Sequence, residues 1–151
     1  MDDEGRIVVT ESGNHRIQVL SQEGETILTF GDSGSEKLNK PTSCTPYKNK
    51  FLVTDSGNNC IKVFDQSGTF LHKFGKKGKQ DGQFNWPSGK LLDNCNNLLV
   101  CDTNNHRVQQ FSVDGRFAGK TITVLTNPTG IAREPDGCIL IATRKTVYIL
   151  K

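Results

Sequence analysis

The chain has 151 residues, enough for one domain with a sizeable core, and 34% hydrophobic with 23% charged residues is ordinary globular composition. No run approaches the roughly 18 apolar residues of a membrane span. The segment from Met1 to Val9 is acidic and then strand-like, unlike a secretory signal, and the cysteine usage leads to the expectation of a cytoplasmic location. A net charge of +3 permits nucleic acid as a partner and does not demand it.

Internal repetition decides the fold reading. Ile7 to Leu20 reads IVVTESGNHRIQVL, Phe51 to Phe64 reads FLVTDSGNNCIKVF, and Leu98 to Phe111 reads LLVCDTNNHRVQQF. The acidic positions Glu11, Asp55 and Asp102 recur 44 and 47 residues apart. Strand-like runs ending in Phe-Gly close at Gly31 and Gly75, and X-Pro pairs follow at Lys40-Pro41, Trp86-Pro87 and Asn127-Pro128. A weaker fourth copy runs from Thr129 to Leu150.

In the second copy, Phe51 to Thr54 predicts a strand. Asp55 to Asn58 predicts a tight hairpin in which Asp bonds its own backbone and Gly57 and Asn58 take positive φ. Ile61 and Val63 alternate with Lys62, as in a second strand. Asp65 to Gly68 predicts a further turn, repeated at Ser21 to Gly24 and Ser112 to Gly115, before a strand over Thr69 to Phe74. Four short strands per unit of about 40–50 residues describe a propeller blade. No helical period stands out, so the expected class is all-β, in approximate units 1–40, 41–86, 87–127 and 128–151.

The chain lacks a Trp-Asp dipeptide; its single Trp is Trp86. Gly5 to Val19, Asp102 to Val108 and the joint Gly75 to Gly89 resemble the NHL repeat. The resemblance is to the C-terminal NHL region of tripartite-motif (TRIM-NHL) ubiquitin ligases and RNA-binding repressors. It implies a β-propeller of four-stranded antiparallel NHL blades, of which about three and a half are present, as part of a six-bladed ring. The fourth copy has lost the hairpin motif, the third lacks the Phe-Gly ending and has Gln110 for Val, and the second has Asn59-Cys60 for His-Arg. An open arc leaves apolar faces in water. The chain is therefore expected to be the C-terminal part of a longer propeller, with closure of a smaller ring by a second copy as the alternative.

The hairpin between the second and third strands should share a rim with the loop joining consecutive blades. That rim would gather His15, Arg16, Lys40, Asn59, Lys76, Lys77, Lys79, Asn85, Trp86, His106 and Arg107 as a partner-binding or RNA-binding face. Cations suit phosphate, amides suit base edges, and Trp86 suits stacking. The competing reading makes Asn14, Asn58 and Asn105 turn formers, and pairs Arg16 and Arg107 with Glu11 and Asp102. A protein partner or ubiquitination substrate is the first expectation and single-stranded RNA the second.

Six-bladed propellers also include metal-dependent hydrolases and lyases, but His15, His72 and His106 form no ligand pattern, so neither catalytic residues, a metal nor a cofactor is expected. The five cysteines show no CxxC spacing and are expected to be buried reduced thiols.

Overall fold

The computed structural model describes residues 1–123 and 126–151. It divides into two compact units, Met1–Phe74 and Gly75–Lys151. Each holds two antiparallel sheets whose strands pair in sequence order. In the first unit, blade 1 comprises β1 (Ile7–Glu11), β2 (Arg16–Leu20) and β3 (Thr26–Phe30). Blade 2 comprises β4 (Pro41–Tyr47), β5 (Lys50–Asp55), β6 (Cys60–Asp65) and β7 (Phe70–Phe74). In the second unit, blade 3 comprises β8 (Pro87–Leu92), β9 (Asn97–Asp102), β10 (Arg107–Ser112) and β11 (Phe117–Ile122). Blade 4 comprises β12 (Gly130–Arg133), β13 (Ile139–Ala142) and β14 (Val147–Leu150). The described residues contain no α-helix, only two single-turn 3₁₀ segments at Ser56–Asn58 and Thr103–Asn105. Among the described residues no helix is long and apolar enough to cross a membrane.

Alternation along each strand sends one set of side chains to each face. Within the first unit, Ile17, Val19 and Phe30 of blade 1 pack against Phe51, Val53 and Phe64 of blade 2. Phe30 carries much of this contact, with ring centroids 5.3 Å from Phe51 and 4.9 Å from Phe64. In the second unit, Leu99, Cys101 and Val108 of blade 3 meet Ile141, with Ile131, Tyr148 and Leu150 around them. Blade 3 approaches blade 4 so closely that a Cβ on Gly89 would lie 2.7 Å from the Thr129 carbonyl oxygen, which the Gly89 N–H itself bonds at 3.0 Å.

The turns between the third and fourth strands follow the sequence reading. Asp65 accepts the N–H groups of Ser67 and Thr69, each at 2.9 Å, and Gly24, Gly68 and Gly115 hold positive φ. The hairpins between the second and third strands correct it. Their left-handed residue is His15, Asn59 or His106, with φ of 55°, 54° and 57°, and Gly57 and Asn58 do not have positive φ. In blades 2 and 3 the cause is the 3₁₀ turn, which places the left-handed residue at its C-terminal end. Asp55 and Asp102 do not cap that turn.

The thiol reading also needs correction. Cys60 and Cys101 are buried, and desolvation pushes their pKa up to about 11 and about 12. Cys44 and Cys138 are half-buried, while Cys95 is exposed because it sits in the turn between β8 and β9. All five are free.

Candidate partner-binding rim

The acidic residue ending the second strand of a blade does its bonding across to the loop that enters the blade. In blade 2, Asp55 is fully buried, and its Oδ1 accepts the Asn39 N–H at 2.7 Å. Its Oδ2 accepts Asn58 Nδ2 at 2.8 Å and Lys62 Nζ at 3.0 Å. The Lys62 ammonium also donates to the carbonyls of Glu36 and Lys37, at 2.9 and 3.1 Å. In the other direction, the Gly57 N–H donates to the Asn39 carbonyl at 2.8 Å. Leu38, fully buried, anchors the loop just before this latch.

Blade 3 repeats the arrangement with different chemistry. Asp102 accepts the Asn85 N–H at 2.7 Å, Asn105 Nδ2 at 2.9 Å and Arg107 Nε at 2.8 Å. Arg107 donates onward to the carbonyls of Gln80 and Gln83, at 2.7 and 3.0 Å. Gln109 donates to the Gln83 carbonyl and accepts the Gly82 N–H, at 2.8 and 2.9 Å. Phe84 is the buried anchor here. The register explains the Asn59-Cys60 departure. Cys60 pairs with Asp55 as Arg107 pairs with Asp102, and Lys62 stands where blade 3 has Gln109. Blade 2 has moved its cation two residues along the strand, and the buried carboxylate stays neutralised.

The predicted site residues therefore divide. Arg107 is buried and fully engaged in the latch. Arg16 pairs with Glu11, whose carboxyl is held below its ordinary range by hydrogen bonds from Arg16 and then Gln18. The imidazoles of His15 and His106 accept the N–H groups of Lys40 and Asn127 at Nδ1, at 2.9 and 3.2 Å. Lys40, Trp86 and Asn127, each just before a proline, have φ of 50°, 56° and 48°, so each loop ends in a left-handed residue. Asn59 and Asn85 are half-buried; Asn85 lies in the latch, its carbonyl accepting the Asn104 N–H at 3.0 Å.

What faces solvent is Lys40 in the first unit, and Lys76, Lys77, Lys79, Trp86 and, despite its bond to Asn127, His106 in the second. Trp86 is 38% exposed. The acidic residue in the lysine loop, Asp81, lies 3.6 Å from Arg107 Nη1. Among the described residues no carboxylate pairs with Lys76, Lys77 or Lys79, so this rim keeps its positive charge. Sequence reasoning missed Lys62 and Gln109, whose signal was their shared repeat position. It also missed Leu38 and Phe84, each of which precedes an Asn-X-Pro.

Four repeated antiparallel sheets, the two central ones latched by a buried acid to their entering loops, define the molecule as a run of β-propeller blades. The sequence family described as "6-bladed beta-propeller" matches residues 35–128, and the chain belongs to that family. The NHL repeat matches residues 1–20. Over 75 residues the chain is 36% identical to "Protein brain tumor" of Drosophila melanogaster, a match covering 46% of this chain and 7% of that protein. Over 40 residues it is 48% identical to "B-box type zinc finger protein ncl-1" of Caenorhabditis elegans, covering 26% of this chain and 5% of that protein. The chain thus spans a small part of the length of these curated relatives.

Among solved structures, virginiamycin B lyase from Staphylococcus aureus superposes with a TM-score of 0.74 at 16% identity, covering 100% of this chain and 53% of that one. The WD40 propeller domain of Doa1 gives 0.71 at 13% identity, covering 97% and 46%. Likeness at this level of identity extends to the fold alone.

Proposed function

We propose that the chain is a non-catalytic recognition module whose partner-binding surface is the lysine loop of the second unit, and that it selects protein substrates for a TRIM-type ubiquitin ligase. The observation that carries this reading is the combination of uncompensated charge and rigidity. Three exposed lysines stand on a loop whose backbone is held at Gln80, Gly82, Gln83 and Asn85 by a buried network. A preorganised cationic rim binds with little ordering cost, because the loop is already fixed. Its complement is an acidic protein segment, steered by charge and docked against Lys76, Lys77, Lys79 and the exposed Trp86 ring. The similarity to the NHL-containing relatives supports an interaction role.

One observation favours a second reading. Trp86 exposes part of its ring on the same loop as the lysines, the pairing of stacking surface and cations that suits single-stranded RNA. Fluorescence anisotropy with a labelled glutamate-rich peptide and a labelled unstructured RNA 12-mer, measured side by side at rising salt, separates the two. Peptide binding that is lost on Lys76→Glu/Lys77→Glu/Lys79→Glu supports the first reading. Tighter RNA binding that falls on Trp86→Ala, with a log–log salt slope of about −2 for three phosphate contacts, supports the second. If neither probe binds at low salt, both readings fail.

A further inference from the structure

In blades 1 and 2 one position of the third strand is a fully buried valine, Val19 or Val63. Blade 3 places Gln110 there, 8% exposed. A buried amide is costly unless its hydrogen bonds are met. Gln110 Nε2 reaches Asp93 Oδ2 at 3.3 Å, and among the described residues nothing donates to its Oε1. The adjoining strand departs from the pattern at the same place. All three blades shift register here, but blades 1 and 2 shift after the valine, so Leu28 pairs with Val19 and His72 with Val63, whereas β11 shifts between Gln109 and Phe111 and leaves Gln110 without a facing residue on that strand. Gly119 in that stretch has φ of 75°, and a Cβ there would meet nothing within 4 Å.

These two departures open a cleft of about 570 Å³ between the blade 3 face and blade 4. Leu99, Val108, Ile122 and Ile139 supply an apolar wall. Gln110 and Lys120 supply polar groups, and Lys120 has no ion pair among the described residues. Thr121 also lines the cleft, and Asp93, the acidic residue of the lining, is already saturated. It accepts the N–H groups of Cys95 and Asn97, each at 2.8 Å, and the Asn97 side-chain amide at 2.9 Å, in addition to Gln110. A cleft of this size with a few convergent polar groups has the form of a small-ligand site.

We infer that the Gln110 cleft binds a molecule built as an apolar acyl group, an amide and a carboxylate. The acyl group lies on the aliphatic wall, the ligand amide N–H donates to Gln110 Oε1, and the carboxylate pairs with Lys120. A free N-acyl amino acid and the apolar C-terminal residue of a peptide share this chemistry. The site is separate from the lysine rim and does not depend on it.

The test is a titration followed by methyl NMR at Val108, Ile122 and Ile139. The probes are N-hexanoyl-leucine, its methyl ester, and a short peptide ending in leucine with a free or amidated terminus. The expected result is saturable binding of the free acid, weakened at least tenfold by Gln110→Val, which installs the residue the other blades carry and so keeps the fold. Lys120→Gln should weaken the acid and leave the ester unchanged. Tighter binding of the free-terminus peptide than of the N-acyl amino acid assigns the site to a chain terminus, and the reverse assigns it to a free metabolite. No saturable shift with any probe, or unchanged affinity in Gln110→Val, overturns the inference.

Discussion

Replacing Arg107 by cysteine gives blade 3 the residue that blade 2 carries at the same register, without blade 2's compensation. The guanidinium leaves three acceptors behind: buried Asp102 Oδ2 and the carbonyls of Gln80 and Gln83. Asp102 retains the Asn85 N–H, Asn105 and Gln109, the last at 3.2 Å, but loses its only full positive charge. Breaking a buried ion pair from one side costs about 3–5 kcal/mol. The surviving neutral donors place Arg107→Cys near the lower end, at about 3 kcal/mol. Adding Gln109→Lys reproduces the Lys62 solution and should recover at least half of the loss, although the new ammonium cannot accept the Gly82 N–H as Gln109 does. Urea unfolding measures the total, and amide exchange at Asn85 reads the latch locally, since that N–H is held by Asp102. A cost under 1 kcal/mol for Arg107→Cys, or no recovery in the double variant, would refute the claim that a buried cation holds the interblade loop.

Thr54 offers a gain in stability: its hydroxyl is buried without a hydrogen-bond partner, so Thr54→Val should stabilise by about 1 kcal/mol in the same urea assay. Gly89→Ala forces a Cβ against the Thr129 carbonyl and should lower stability by about 2 kcal/mol or more, measured by thermal unfolding. Thiol labelling at pH 8 with mass-spectrometric mapping should modify exposed Cys95 first and leave Cys60 and Cys101 untouched until the chain unfolds. Because those two thiols are raised to about 11 and about 12, the folded chain holds protons that the unfolded chain releases above pH 9. Stability should therefore fall as pH rises from about 9 to 11, by up to about 1.4 kcal/mol per pH unit for each thiol, and Cys101→Val should remove about half of that slope.

The blade pattern was legible because strand alternation and turn chemistry are local. The repeated turn Asp65 to Gly68 could be read from its residues, since Asp65 bonds N–H groups two and four residues on. The Asp55 hairpin was misread for the opposite reason. Its partner, the Asn39 N–H, lies sixteen residues upstream, and no short-range rule points there. The pairing of Arg107 with Asp102 was legible across the hairpin, but the same distance hid the Arg107 bonds to the Gln80 and Gln83 carbonyls and the bond His106 accepts from Asn127, 21 to 27 residues away. The lysines remained legible because exposed charge on a glycine-containing loop needs no tertiary partner. Gln110 was visible as a departure from the repeat, but its cleft depends on the bulge in β11, which pairing alone creates.

The central claim is that recognition belongs to the lysine rim and not to positive charge in general. Its most direct test compares the affinity of the glutamate-rich peptide for two charge-reversed variants of the second unit. One is Lys76→Glu/Lys77→Glu/Lys79→Glu; the other is Arg116→Glu/Arg133→Glu, at the opposite strand ends, where both residues are exposed. The expected result is a loss of at least tenfold for the first variant and less than threefold for the second. Equal losses for both, or none for the first, would contradict it.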